Sequence, residues 1–284
     1  DQVIRSSDTL KQIELIDSLY LLKGSDGLSA ICEARRYTAK SYVDAINKYP
    51  MYWESIRSKT LETDKIAKNI SVGIQNLNEL YPRLKPAKIY FTIGALRTGG
   101  TTLGDKVLIG AEIALSDSTV VTKELKGDYP HLVNYFQSNK PQKSVVFNSV
   151  HEYVHTQQDT TIGNSLISWT IIEGVAEFIA EKALDVPSPN AAMIFGKENE
   201  ESIKNVFLKE MFNQYEGLWF WANANNQFGV GDLGYFVGAS ICRSYYNNAN
   251  DKTQAIMNMI ELDYHNESEL LAFVDRSKYF DQST

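Results

Sequence analysis

The chain has 284 residues, enough for one large domain or two small ones, with the 43% hydrophobic and 22% charged content of an ordinary globular protein. A net charge of −7 and the lack of a basic patch argue against a nucleic-acid partner. No apolar run reaches the roughly 18 residues needed to cross a bilayer, so no transmembrane segment is expected.

The first 82 residues read mainly as helix. Leu10, Ile13, Ile16, Tyr20 and Leu21 keep a helical spacing, and Ile66, Ile70, Val72, Ile74, Leu77 and Leu80 roughly repeat it. Pro50 and the Pro82/Pro86 pair punctuate this stretch. The period then changes. Residues 88–93 are β-branched and aromatic, and residues 106–109 are apolar, with the turn-rich segment 97–104 between them. They read as two strands of a small sheet joined by a glycine loop of hairpin type, with a free edge on the strand near 106–113. From Lys143 onward the helical pattern returns and makes a largely buried helix. Asn164 or Ser165 opens the next, which runs past Trp169 to about Leu184 and stops before Pro187. Further helices are expected near 198–213, 232–247, 251–261 and 266–275. The organisation is thus one mainly helical α+β unit over 1–284, with an N-terminal helical region (1–86) followed by a region (87–284) whose small sheet lies beside the helix after Lys143.

That helix carries the most specific motif of the chain, His151-Glu152-Tyr153-Val154-His155. Residues four apart on a helix share a face, with Cβ atoms roughly 5–6 Å apart. Two imidazoles placed so can both bind one zinc ion, and Glu152 between them is placed to take a proton from water that the metal activates. A catalytic zinc takes three protein ligands and leaves a position open. The next helix offers Glu173 and Glu177, again four apart, in apolar surroundings where a buried carboxylate needs a partner. One can bind metal while the other supports a ligand histidine. Gln158 and Thr161 occupy the positions where a metzincin has its glycine and third histidine, so that class is rejected.

The H-E-x-x-H helix, then residues 156–172, then Glu173-Gly-x-Ala-Glu177-Phe, resembles the gluzincin metallopeptidases. It is similar in particular to bacterial zinc-dependent proteases related to gliding-motility lipoproteins, in which a Gly-Tyr-x-x-Gly helix lies further on; Gly234-Tyr235-Phe236-Val237-Gly238 matches it. The resemblance covers roughly residues 88–246. It implies a zincin-like fold, one Zn2+ held by His151, His155 and Glu173, Glu152 as general base, Glu177 behind a ligand histidine, and a peptide or protein substrate. With it comes an extracytoplasmic location in a bacterial envelope, which the start at Asp1 suits if a leader has been removed. Tyr235 is the chosen donor to the oxyanion of peptide hydrolysis, with Tyr245 and Tyr246 on the same helix as competitors.

Other readings stay open at this level. Gly110-Ala-Glu112 is faintly similar to the acidic loop with which aminopeptidases of this clan bind a substrate's amine. A non-catalytic zinc-binding envelope protein would need a fourth protein ligand. Cys32 and Cys242, far apart and outside any C-x-x-C pair, read as buried thiols rather than a disulfide. Trp219-Phe220-Trp221 reads first as core and second as the lining of a substrate pocket. His131 and His265 read as surface histidines. Oligomeric state is not indicated.

Overall fold

A computed structural model describes residues 2–61, 63–214, 218–221 and 224–281. The chain forms two compact units by contact, Asp1–Val72 with Pro86–Thr156 and Gly73–Lys85 with Gln157–Thr284. Residues 86–156 thus cluster with residues 1–72, and residues 73–85 with residues 157–284, a different partition from the 1–86 and 87–284 regions read from the sequence. The class is mainly helical α+β, with one small mixed sheet among the described residues.

The first unit begins with helices α1 (Gln2–Arg5), α2 (Thr9–Ile16), α3 (Asp26–Arg35), α4 (Ala39–Lys48) and α5 (Pro50–Ile56), followed by α6 (Thr63–Leu80), which runs on into the residues of the second unit. Their starts are set by local chemistry. Asp8 accepts the amides of Leu10 and Lys11, Ser25 accepts Leu28 N, and Thr38 and Ser41 form a reciprocal capping box. Pro50 opens α5, where a missing N–H costs nothing. The buried faces, with Ile31, Val43, Tyr52 and Trp53, share one core with Leu108 of the sheet and with Phe136 of a later helix.

The sheet has three strands, β1 (Lys88–Thr92), β2 (Gly100–Leu103) and β3 (Lys106–Gly110), in the order β1-β3-β2. β1 pairs with β3 in parallel, Lys88 opposite Lys106 and Thr92 opposite Gly110. β2 pairs with β3 antiparallel, Gly100 opposite Ile109. This corrects the sequence reading in two respects. The apolar stretches 88–93 and 106–109 are parallel neighbours rather than a hairpin, and β3 has no free edge because it is the central strand. The hairpin is β2–β3, closed by Gly104 and Asp105, with Gly104 at φ 56° as the first residue of a tight two-residue turn. The physical reason is burial. β3 is apolar and buried along Val107–Gly110, so it takes the middle of the sheet, whereas the threonine-rich β2 suits an edge.

After β3 come α7 (Ala111–Ala114), α8 (Pro130–Ser138) and α9 (Pro141–His155). α9 starts two residues earlier than the hydrophobic pattern suggests, because Pro141 is favourable at the first helical position. The phenol of Tyr153 on α9 accepts the amide of Ala87 at 2.8 Å, which ties the helix to the start of β1.

The second unit is built on α10 (Leu166–Leu184), accompanied by α11 (Ala192–Glu198), α12 (Glu200–Glu210), α13 (Leu233–Asn248), α14 (Lys252–Ile260) and α15 (Glu267–Ser277). Of the 19 residues of α10, 15 are buried and only Lys182 in its last turn is exposed, so its apolar residues run round nearly the whole helix. It crosses α13 at a point where only glycine fits. A Cβ on Gly174 would stand 2.2 Å from the carbonyl carbon of Gly238, and one on Gly238 would stand 2.0 Å from Thr170 O. Cys32 and Cys242 are both free thiols; Cys242 is buried and Cys32 half-buried. No described helix is long and apolar enough to cross a membrane.

Candidate metal centre

Fifteen residues of continuous helix carry the two histidines of α9 to one face. Their Nε2 atoms stand 3.1 Å apart, with ring centroids 4.8 Å apart and planes crossed at 80°. Two nitrogens bound to one zinc at 2.0–2.1 Å with a near-tetrahedral angle lie about 3.3 Å apart, so the pair is spaced for one ion. Glu173 completes the group. One ligand atom from each of His151, His155 and Glu173 lies within 4.8 Å of the others. His151 and Glu173 are buried, at 8% and 6% exposure, and His155 is half-buried. Two imidazoles and a carboxylate are the donor set of a borderline metal such as zinc, and the group can hold a metal ion. Among the described residues the group contains three side chains and not four.

Glu152 is half-buried on α9 and lies against β2. A Cβ on Gly100 would meet its Oε1 at 2.9 Å. Glycine at the head of β2 therefore leaves room for the carboxylate beside an edge strand. In the sequence Gly99 and Gly100 look like a turn, and nothing local points to this contact.

Glu177, one turn beyond Glu173, is buried and accepts a short hydrogen bond from Ser188 Oγ. The amide of Ser188 donates to Glu181 Oε1 at 3.0 Å, and Glu181 also pairs with Arg243. Ser188 thus ties the Pro187–Pro189 segment back to α10. Nothing in the sequence singles it out, because a serine between two prolines looks like an ordinary turn. Gln158 is buried, and its Nε2 donates to Ile172 O at 3.0 Å and to the phenol of Tyr264 at 2.8 Å. That bond holds the carbonyl next to Glu173 from a residue three beyond His155. The side chain that stands in place of a metzincin glycine is a positioning group for α10.

Tyr235 sits in the first turn of α13, half-buried, its ring 5.1 Å from that of Phe220 and 6.5 Å from that of Trp221. Its competitors stand further along the helix. Tyr245 accepts Asn258 Nδ2 and packs on Phe273, and Tyr246 packs on Phe178. Trp219 and Phe220 are core residues, as the sequence suggests, but Trp221 is 57% exposed. His131 and His265 are both exposed.

Glu112 is fully buried and its carboxylate is committed to the backbone, accepting Gly94 N at 2.8 Å and Leu96 N at 3.1 Å. Burial pushes its pKa up to about 7, against the pull of those amide donors. It pins the loop after β1, where Leu96 adopts a left-handed φ of 62°. No family model, curated protein or solved structure matches this chain.

Proposed function

We propose that this protein is a zinc-dependent peptidase of gluzincin type with a zincin-like fold, similar to the bacterial proteases related to gliding-motility lipoproteins. The convergence of His151, His155 and Glu173 within 4.8 Å, on a helix whose Glu152 borders an edge strand, carries the reading. A zinc ion held by those three side chains supplies Lewis acidity toward the scissile carbonyl and toward water. Glu152 takes the proton from the attacking water and delivers it to the leaving amine. An extended peptide adds to the outer edge of β2, where backbone hydrogen bonds hold it past Glu152. Glu177 serves as the carboxylate that orients a ligand histidine, and Tyr235 as the donor to the oxyanion.

Two alternatives are less well supported. An aminopeptidase would need Glu112 to receive a substrate amine, but that carboxylate is at 0% exposure and already accepts two amides. A purely structural zinc site is usually closed by four protein ligands, and this group has three among the described residues.

The test is Glu152→Gln in the zinc-loaded protein. Zinc stoichiometry stays at the wild-type value while peptide hydrolysis falls by about 10²–10⁴-fold, the usual contribution of a general base. Hydrolysis at the wild-type rate in that variant overturns the assignment.

A further inference from the structure

Trp221 is badly placed for a residue that only fills a core. It is 57% exposed, whereas its neighbours Trp219 and Phe220 are at 6% and 0%. Its backbone lies at φ 61°, in the left-handed region that penalises a bulky side chain. A large ring held in strain and facing solvent gains little for stability, which makes a binding role the better explanation. The ring also belongs to an array. Trp221 meets Trp169 edge-on, with centroids 6.2 Å apart and planes at 83°, and it meets Tyr235 at 6.5 Å and 84°. Phe220 backs Tyr235 from the core at 5.1 Å.

The array has a fixed relation to the proposed chemistry. Trp169 is four residues before Glu173 on α10, so the two share a helix face with Cβ atoms about 5–6 Å apart. Tyr235 is three residues before Gly238 on α13, and Gly238 is where α13 touches Gly174. The glycine crossing therefore gathers rings from α10, α13 and the 218–221 segment beside a metal-binding carboxylate. The same crossing accounts for Gly174 and Gly238, whereas Gly234 makes room for Phe220, whose ring a Cβ there would meet at 2.2 Å.

We propose that Trp169, Trp221 and Tyr235 form a recognition site for an aromatic side chain of the peptide substrate, adjacent to the bond that is cleaved. Edge-to-face rings favour a further ring in the same geometry, which gives selectivity beyond plain burial. The substrate's being a peptide rests on the peptidase reading, while the affinity of the rings for an aromatic group does not.

Two measurements test this with wild type and Trp221→Gly. Glycine accepts φ 61° without strain, so the variant keeps its fold, checked by an unchanged or higher melting temperature. The first measurement is kcat/KM for peptides that differ only by Phe or Ala flanking the cleaved bond. Wild type prefers Phe by roughly 10–100-fold, and the variant loses at least about fivefold of that preference. The second is tryptophan fluorescence titrated with millimolar N-acetyl-phenylalanine amide or N-acetyl-alanine amide. Only the phenylalanine compound changes the wild-type emission, and the change disappears in Trp221→Gly. Cleavage without Phe preference and without a fluorescence change overturns the aromatic site while leaving the peptidase reading intact. A Trp221-dependent fluorescence change in a protein that cleaves no peptide supports the aromatic site and overturns the peptidase reading instead.

Discussion

Two buried carboxylates, Glu112 beside the sheet and Glu173 in the middle of α10, are at 0% and 6% exposure, yet their surroundings assign them different work. Glu112 is enclosed by its own backbone neighbourhood. Two amides satisfy its oxygens, and the consequence is an ordered loop after β1. Glu173 presents a ligand atom to two imidazole nitrogens within 4.8 Å, a grouping that backbone satisfaction does not require. Burial alone does not identify a reactive acid. The chemical type of its partner does, since amide donors stabilise one anion in place whereas converging nitrogen and oxygen donors leave room for a cation.

That contrast can be broken by experiment, beginning with the largest expected effect. Glu173→Gln should weaken zinc binding by about 100-fold or more, because a first ligand counts for at least as much as the outer partners that cost 10–100-fold. Glu112→Gln should leave zinc binding at the wild-type level. Metal titration of both variants checks the pair, and equal losses would dissolve the distinction.

Glu112 should instead show itself in pH dependence. Its folded pKa is near 7 against an ordinary 4.5, so between those values the unfolded chain releases a proton that the folded chain keeps. Stability from this group is full below about pH 4.5 and falls as pH rises toward 7, by on the order of 3 kcal/mol in all. Urea unfolding of wild type and Glu112→Gln across this window measures it, and the variant should lack that part of the slope.

Smaller effects sharpen the picture of what holds each acid in place. Gly174→Ala puts a methyl 2.2 Å from the backbone of Gly238, so α10 and α13 must separate. A loss of about 1–3 kcal/mol is expected, read as a lower melting temperature. Gly100→Ala forces a Cβ to 2.9 Å from Glu152 Oε1. It should leave the melting temperature near wild type and, on the proposed peptidase reading, lower kcat about tenfold, in line with the cost of displacing the proposed base by a fraction of an ångström.

Much of the helical framework is legible in the sequence. The expected helices near 232–247, 251–261 and 266–275 appear as Leu233–Asn248, Lys252–Ile260 and Glu267–Ser277, because capping residues and apolar periodicity are local signals. The start of α10 at one of the two openings the sequence offers, Asn164 or Ser165, and its end near Leu184 are readable from the same kind of local signal. The sheet is not. Residues 100–103 look like part of a turn, and only pairing with β3 makes them a strand, an interaction absent from any window of local sequence. In the candidate site, His151 and His155 are readable because four residues make about one helical turn. Trp169 is within reach of the same argument, being four residues before Glu173, but an aromatic in an apolar helix gives no reason to look.

The sequence by itself determined that two imidazoles share a helix face with a glutamate between them, and that two acids recur at the same interval in a second, mostly apolar helix. Those facts follow from helical geometry, which depends on near neighbours only. The tertiary structure decided that Glu173 rather than Glu177 joins the histidines, since Glu177 lies outside that group and binds Ser188. It also decided that β3 is central, that Glu152 faces Gly100, and that Gly174 and Gly238 touch. Each of these is a contact between segments distant in the chain, set by which surfaces exclude water together, and no local periodicity encodes it.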